Sequence, residues 1–171
     1  TTARKKSKTT VKTIATALSV SAVMMGVSGV AHASFVTDDA VKPGNNATNY
    51  VIIGPGASIK PSAANGNIKP NQSIAIGAEA LVTGDQSTAL GNNVIASGHS
   101  SVAIGGDDVN AVIDAAGAEY TALTGVTLIK SQWRSTQSAG HGSIAIGVQS
   151  LAEGNFSTAL GLTAKTQGTG S

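Results

Sequence analysis

SIAIGAEALVTGDQ, residues 73–86, is the first of several similar segments of equal length. Its opening motif, Ser-x-Ala-(Ile/Leu)-Gly, recurs fourteen residues later at Ser87 and again at Ser101, and two further copies begin at Ser143 and Ser157. The residues shared by all copies are uncharged, and most are small. The fixed spacing therefore indicates a structural repeat rather than a catalytic motif.

Positions 2 to 4 of the repeat, counted from its Ser as position 1, predict a short strand. Positions 2 and 4 then face one side and position 3 the other. Position 3 is always Ala, which predicts a space no larger than a methyl group, whereas position 4 is always Ile or Leu. Both faces of this strand are therefore expected to be covered, which is typical of strands in a parallel stack. The residues assigned to the core of the roll and of its assembly are Ile74, Ala75, Ile76, Ala89, Leu90, Val102, Ala103, Ile104, Ile144, Ala145, Ile146, Ala159 and Leu160.

Positions 8 to 10 predict a second strand, with the sequences ALV, VIA, SLA and AKT in four of the copies. Glycine at positions 5 and 12 predicts tight turns with backbone angles that other residues resist. Two strands and two turns in fourteen residues describe one coil of a β-solenoid. The predicted turn glycines are Gly77, Gly84, Gly91, Gly98, Gly105, Gly140, Gly147, Gly154, Gly161 and Gly168.

A coil of two strands encloses a very narrow interior. Successive coils stack at about 4.8 Å, and each coil buries its residues against its neighbours. The aliphatic face of positions 2 and 4 then needs a partner outside the roll. A homo-oligomer in which several rolls pack these faces together would supply it.

The composition agrees with a thinly layered interior. Hydrophobic residues make up 41% of the 171 residues, yet only 3% are aromatic, and there are 21 glycines. The absence of cysteine excludes a disulfide scaffold and cysteine-based metal or redox chemistry. From Ser34 onward six basic and nine acidic residues leave a net charge of −3, so the basic pI gives no reason to expect nucleic-acid binding.

The N-terminal segment has the layout of an export signal. A basic stretch reaches Lys12, a mostly apolar run follows over 14–30, and Ala-His-Ala at 31–33 forms a cleavage site. We expect a signal peptide over residues 1–33, cleaved between Ala33 and Ser34. The alternative is a membrane anchor, for which an apolar run of about 17 residues is at the short limit.

The repeats SIAIG, STALG and SVAIG behind a long signal peptide resemble the head repeats of trimeric autotransporter adhesins, also called haemagglutinin/invasin-type repeats, of Gram-negative bacteria. The resemblance covers residues 72–105 and 142–170, and NYVIIG at 49–54 looks like a degenerate first repeat. It implies an all-β fold, a left-handed parallel β-roll of fourteen-residue, two-strand coils. It also implies a homotrimer, and both the handedness and the trimer come from the resemblance alone.

The expected organisation has five parts. They are a signal peptide (1–33), an N-terminal lead-in or cap with a degenerate repeat (34–72), roll repeats (73–105), an insert (106–142) and further roll repeats (143–171). Members of the family continue into a neck, a stalk and a C-terminal membrane barrel. We therefore interpret the chain as the membrane-distal part of a longer protein, exported to the Gram-negative cell surface and held in the outer membrane only by a C-terminal anchor absent from this sequence.

The insert interrupts the repeat between Ser101 and Ser143, which are three periods apart. Hidden coils would place Glu119 and Trp133 where glycine is expected, so we predict an excursion from the roll. DDVNAVIDAAGAEYTALTG, residues 107–125, predicts a helix capped by Asp107 or Asp108. VTLIKSQW after it suggests an extended segment, which would make the insert mixed α/β.

Tyr120 and Trp133 are two of five aromatic residues beyond position 33. They are candidates for contacting a ligand, because loops on a rigid scaffold often carry recognition. The alternative is that both anchor the insert to the roll or to the next chain.

Residues that could suggest enzymatic or metal chemistry have simpler roles. His99 and His141 share position 13, a polar turn position also occupied by Asp85 and Asn155. Asp107 and Asp108 lack the further ligands of a calcium loop. We expect no enzyme activity, no metal and no cofactor.

The resemblance implies the head of a surface adhesin. Its expected partners are a host matrix protein or cell-surface receptor, or copies of itself on neighbouring cells, which would cause autoaggregation. One alternative is a structural spacer that recognises nothing. A remote alternative is a left-handed β-helix acyltransferase, whose coils have eighteen residues instead of fourteen.

Overall fold

The repeat folds into coils, and each coil contributes one strand to each of two parallel sheets. The computed structural model describes residues 49–171 and the backbone of Phe35–Val36. The strands are β1 (Phe35–Val36), β2 (Val51–Ile53), β3 (Ser58–Ile59), β4 (Ile74–Ile76), β5 (Leu81–Val82), β6 (Thr88–Gly91), β7 (Ile95–Ala96), β8 (Val102–Gly105), β9 (Gln137–Ser138), β10 (Ile144–Ile146), β11 (Leu151–Ala152), β12 (Thr158–Leu160) and β13 (Lys165–Thr166). The helices are α1 (Asn110–Thr124) and a 3-10 turn (Ala63–Asn65).

From β2 onward the strands alternate between the two sheets along the chain. Sheet A has the order β1-β2-β4-β6-β8-β10-β12, and sheet B has the order β3-β5-β7-β9-β11-β13. Every pairing is parallel and joins equivalent positions of the repeat, as Ala75 with Ala89 and Leu81 with Ile95. The predicted parallel β-roll is confirmed. The sheet B strands begin at position 9, one residue later than predicted.

The interior of the roll is as narrow as the invariant alanine indicates. The position 3 alanines of β4, β6, β8, β10 and β12 are all fully or almost fully buried. Positions 8 and 10 face them from sheet B, as Ala80 and Val82 do in the first complete coil. A larger side chain at position 3 would therefore push the two sheets apart.

Buried serines at position 1 complete each coil. The hydroxyl of Ser87 donates a hydrogen bond to the carbonyl oxygen of Gly98 at 2.8 Å, and the backbone amide of Ser101 donates to the hydroxyl of Ser87 at 3.1 Å. A small hydroxyl thus satisfies backbone groups that the dry interior would leave unpaired. The sequence pattern showed that serine recurs at position 1, but it did not reveal that the hydroxyl bonds backbone groups of neighbouring coils.

The reason predicted for glycine holds at position 5 but is wrong at position 12. Gly77 and Gly91, at position 5, have φ of 124° and 126°. Gly84, at position 12, is not left-handed, and a Cβ there would overlap the carbonyl oxygen of Gly98 in the next coil. The close approach of stacked backbones therefore excludes a side chain. The left-handed turn residues also include many that are not glycine, such as Glu79 with φ of 57°.

The N-terminal coil extends the roll beyond the regular repeats. β2 pairs with β4 in the same register, Val51 against Ile74, so residues 49–54 adopt the conformation of a repeat. β1 pairs with β2 in turn. The longer connection to the next coil contains the 3-10 turn, from which the side-chain amide of Asn65 donates to the carbonyl oxygen of Thr83 at 3.1 Å. The predicted signal peptide with Ala33 and Ser34 lies outside the described residues.

The roll continues across the insert without a gap. β8 pairs directly with β10, and β7 pairs with β9. The chain leaves the coil after Asp107, at position 7, and re-enters it at Thr136, at position 8. The excursion is therefore 108–135, and the predicted boundary at 142 was too late because 136–142 complete the interrupted coil.

Within 108–135 the structure has helix α1 and no strand, so the extended segment expected over 126–133 does not form one; the strand within the expected bounds 106–142 is β9, which belongs to the roll. Helix α1 ends at Gly125, whose φ is 72° and whose amide donates to the carbonyl oxygen of Thr121. Residues 126–135 lack a strand partner because both neighbouring sheet B strands already pair with β9. Within the described part of the chain, no helix has the length and apolarity needed to cross a membrane.

The interior becomes polar where the insert interrupts the coil. Thr136, Ser138 and Ser143 are fully buried there, and the hydroxyls of Ser138 and Ser143 lie 2.5 Å apart. Apolar clusters lie on both sides, one over residues 52–103 and one over 145–159. The polar layer thus separates two short hydrophobic cores.

Candidate binding surface

Two buried polar side chains hold the base of the insert. The hydroxyl of Thr136 accepts from the amide of Gly106 at 3.2 Å and lies 2.8 Å from the carbonyl oxygen of the same residue. The side-chain amide of Gln149, which is only 5% exposed, donates to the carbonyl oxygens of Asp107 at 2.7 Å and Gln132 at 2.5 Å. Gln149 therefore ties the outgoing and returning chains together, a role that its variable repeat position did not reveal.

Helix α1 has a local hydrogen bond at its start and a contact with the roll near its end. Near its start, the carboxylate of Asp108 accepts from the amide of Asn110 at 2.7 Å, although Val109 occupies the N-cap position itself. Asp107 instead accepts from the side-chain amide of Asn93. Near its end, the hydroxyl of Tyr120 lies 2.7 Å from that of Thr163 and 3.3 Å from the carbonyl oxygen of Leu162. Tyr120 thus holds the helix against the coil that begins at Ser157, two coils after the one that the insert interrupts.

After Gly125 the chain folds back along the helix. The amide of Ser131 donates to the side-chain oxygen of Asn110 at 2.8 Å, and Lys130 forms an exposed ion pair with Asp114. This return segment leaves large apolar side chains in solvent, among them Trp133 at 58% exposure. Within one chain, therefore, the Tyr120 hydroxyl joins the insert to the roll, whereas the Trp133 side chain is largely exposed.

A groove lies where the insert rejoins the roll. Its volume is about 290 Å³, and it opens onto the outer face of sheet B. Its lining residues are Ile95, Arg134, Ser135, Gln137, Gln149 and Leu151. The groove combines an aliphatic floor with one guanidinium group, and sequence reasoning missed it because its walls come from three separate segments.

The outer face of sheet A is a second uncovered surface. Of the predicted core residues, the position 3 alanines lie inside the roll, whereas the residues at positions 2 and 4 line this face and are half-buried or exposed. Leu160 is 71% exposed and Leu90 is 40% exposed. Single exposed leucines are common on protein surfaces. A continuous row of Ile and Leu side chains along one side of the roll is a larger apolar patch, of the kind that marks an interaction surface.

The two histidines form part of a hydrogen-bonded ladder at position 13. The amide of Asp85 donates to Nδ1 of His99, and the amide of His99 donates to Nδ1 of His141, both at 3.0 Å. The rings stack at 4.9 Å between centroids. Because each Nδ1 accepts, the neutral ring carries its proton on Nε2 and has no free lone pair for a metal. Residues 49–171 contain no group of three His, Cys, Asp or Glu placed to hold a metal ion.

The repeat has a counterpart among known protein families. The family model of the YadA head domain repeat matches two copies in this chain, residues 71–93 and 138–164. These two segments are similar to the YadA head repeat, which supports a YadA-like adhesin head. No curated protein and no solved structure matches the chain.

Both matches to the YadA head repeat fall on coils of the roll, one on each side of the insert. Residues 108–135 and most of the groove lie between the matches, where the chain departs from the repeat. A YadA-like head indicates an adhesin-type function at a cell surface. The regular coils provide the scaffold, and the insert and groove distinguish this head from a plain array of repeats.

Proposed function

We propose that three copies of this chain pack their sheet A faces together into a left-handed, homotrimeric roll. The observation that carries this proposal is the uncovered aliphatic face of a YadA-like head. Burying a leucine or isoleucine side chain contributes about 1.5–3 kcal/mol, so a row repeated in every coil offers a large driving force. Leu160, exposed in the single chain, would then lie in the trimer core.

The assembled head acts as an adhesin that attaches the cell to a host matrix protein or cell-surface receptor. It is exported by the predicted signal peptide and displayed on the outer membrane of a Gram-negative cell. Three rigidly held inserts, together with shallow repeated outer surfaces, support this proposal because weak contacts multiply by avidity. The head has no enzymatic role.

The trimer is tested by the solution mass of the protein from Ser34 onward. We expect three chains per particle, and Leu160→Glu should reduce the mass to that of one chain, since it places a carboxylate in the apolar interface. Ile68→Glu is the matched control, because Ile68 is half-exposed but lies outside both sheets. A wild-type protein with folded β-structure and the mass of one chain would contradict the trimer.

Adhesion is tested by binding of the purified trimer to immobilised matrix proteins, to host cells and to itself. Binding to a matrix protein or to cells supports attachment to the host. Binding to itself alone would replace host attachment with autoaggregation. Absence of all three would favour a structural spacer.

A further inference from the structure

Arg134, on the wall of the groove, is an unpaired cation in a part of the chain whose net charge is negative. Residues 49–171 contain five basic and seven acidic residues. Lys130 and Lys165, the other cations in this half of the chain, pair with Asp114 and Glu153. No hydrogen bond or ion pair joins Arg134 to any described residue. Its guanidinium is therefore available to an anionic partner.

The floor beside Arg134 is aliphatic with one amide at its centre. Ile95, Gln137 and Leu151 occupy the same repeat position on adjacent strands of sheet B, so their side chains stand about 4.8 Å apart in one row. Gln137 is half-buried between the two aliphatic residues. A ligand lying here would meet apolar surface and an amide within reach of one positive charge.

The groove is held in shape before any ligand arrives. Gln149 lines it and also bonds the carbonyl oxygen of Gln132, two residues before Arg134. Thr136, two residues after Arg134, is fixed in the buried base of the insert. With the backbone held on both sides of Arg134, binding a partner costs mainly the rotamer freedom of the Arg134 side chain itself.

We propose that this groove binds an acidic side chain of a partner protein. Its carboxylate pairs with the guanidinium of Arg134, which favours two parallel hydrogen bonds to a carboxylate. An aliphatic residue beside that acid lies on Ile95 and Leu151. The proposal rests on the adhesin function and names the kind of segment that the head would recognise.

The lining favours a protein segment over an acidic sugar. A sugar ring binds best against an aromatic face, and no aromatic residue lines the groove. The volume of about 290 Å³ is at the lower limit for ligand pockets, and it suits a few side chains of an extended segment.

The test uses the purified protein and a blocked peptide, acetyl-Gly-Leu-Glu-Leu-Glu-Gly-amide. We expect saturable binding that shifts the NMR signals of the Arg134 Nε–H and the Gln137 side-chain amide. Binding should weaken about tenfold in Arg134→Ala, and about tenfold when glutamine replaces both glutamates, as expected for a lost charged hydrogen bond. Arg134→Lys should retain part of the affinity. Lys69→Ala, which removes an equal charge elsewhere, should bind as the wild type does.

Equal affinity of the wild type and Arg134→Ala, or of the glutamate and glutamine peptides, would overturn the proposal. So would binding of 3′-sialyllactose at this site in place of the peptide, since the ligand would then be an acidic sugar. Adhesion is scored separately with wild-type protein. Peptide binding without adhesion contradicts the proposed function alone, and adhesion without peptide binding contradicts the groove alone.

Discussion

The backbone amide of His99 donates a hydrogen bond to Nδ1 of His141, 3.0 Å away, although 42 residues separate them. The same relationship joins His141 to the side-chain oxygen of Asn155, only fourteen residues away, at 2.9 Å. The insert therefore leaves the stacking of coils unchanged, and the two histidines meet as if they came from consecutive repeats. Their Nδ1 atoms act as acceptors in a backbone ladder.

Replacing His141 tests this ladder. His141→Leu removes the acceptor for the amide of His99, and we expect the free energy of unfolding to fall by about 1 kcal/mol. His141→Asn supplies an amide oxygen, as Asn155 does in the next coil, and should stay within about 0.5 kcal/mol of the wild type. Urea unfolding measures both. Equal losses in the two variants would mean that the ring stack, and not the acceptor, stabilises this turn.

Gly84→Ala tests the close approach of coils at position 12. The added Cβ would overlap the carbonyl oxygen of Gly98, so the backbone has to shift, and we expect a loss of about 3 kcal/mol or more. Gly168→Ala is the matched control at the same repeat position, because its nearest neighbour, Ser171, is 3.7 Å away. Thermal unfolding compares them. A mild effect at Gly84 would contradict the steric explanation.

Ala89→Leu tests how narrow the interior is. The side chain would enter the fully buried space between the sheets, and we expect a loss of about 1–3 kcal/mol in the free energy of unfolding. Leu90→Ala changes the next residue on the opposite face and should leave the single roll folded while weakening assembly. Unfolding curves and solution mass separate the two effects. Assembly that fails in Ala89→Leu before stability falls would contradict the assignment of the faces.

Tyr120→Phe tests the attachment of α1 to the roll. Loss of the hydroxyl removes its contacts with Leu162 and Thr163 and should cost about 1 kcal/mol locally. We expect faster amide hydrogen exchange in the second half of α1, with little change in the coils. Trp133→Phe is the control, since Trp133 is largely exposed within the chain. Faster exchange in both variants would show that Trp133 also anchors the insert.

Local pattern was sufficient to predict most of the roll. The invariant Ala75, Ala89 and Ala103 indicated a narrow interior, and residues 110–124 showed the helix through their apolar spacing and nearby Asp108. Both rest on short-range periodicity, which a single sequence displays directly. The predicted reason for Gly84 was wrong because glycine serves two purposes, unusual φ and close approach, and the sequence does not distinguish them.

The insert depended on contacts that no local pattern records. Gln149 occupies a variable repeat position, yet its amide joins Asp107 to Gln132 across a gap in the sequence. Arg134 follows Trp133 in an irregular segment, and its place beside Ile95 and Leu151 depends on where the chain re-enters the roll.

The sequence by itself determined the fourteen-residue coil, its two strands, the alanine interior and the aliphatic outer face of one sheet. A repeated pattern fixes these features because each coil meets only its neighbours, so equal spacing brings equivalent positions into contact. Only the tertiary structure decided where the insert leaves and rejoins the coil, which aromatic residue holds it, and that Arg134 stands unpaired above an aliphatic floor. Those features arise from residues far apart in the chain, whose contacts form only after the coils have stacked.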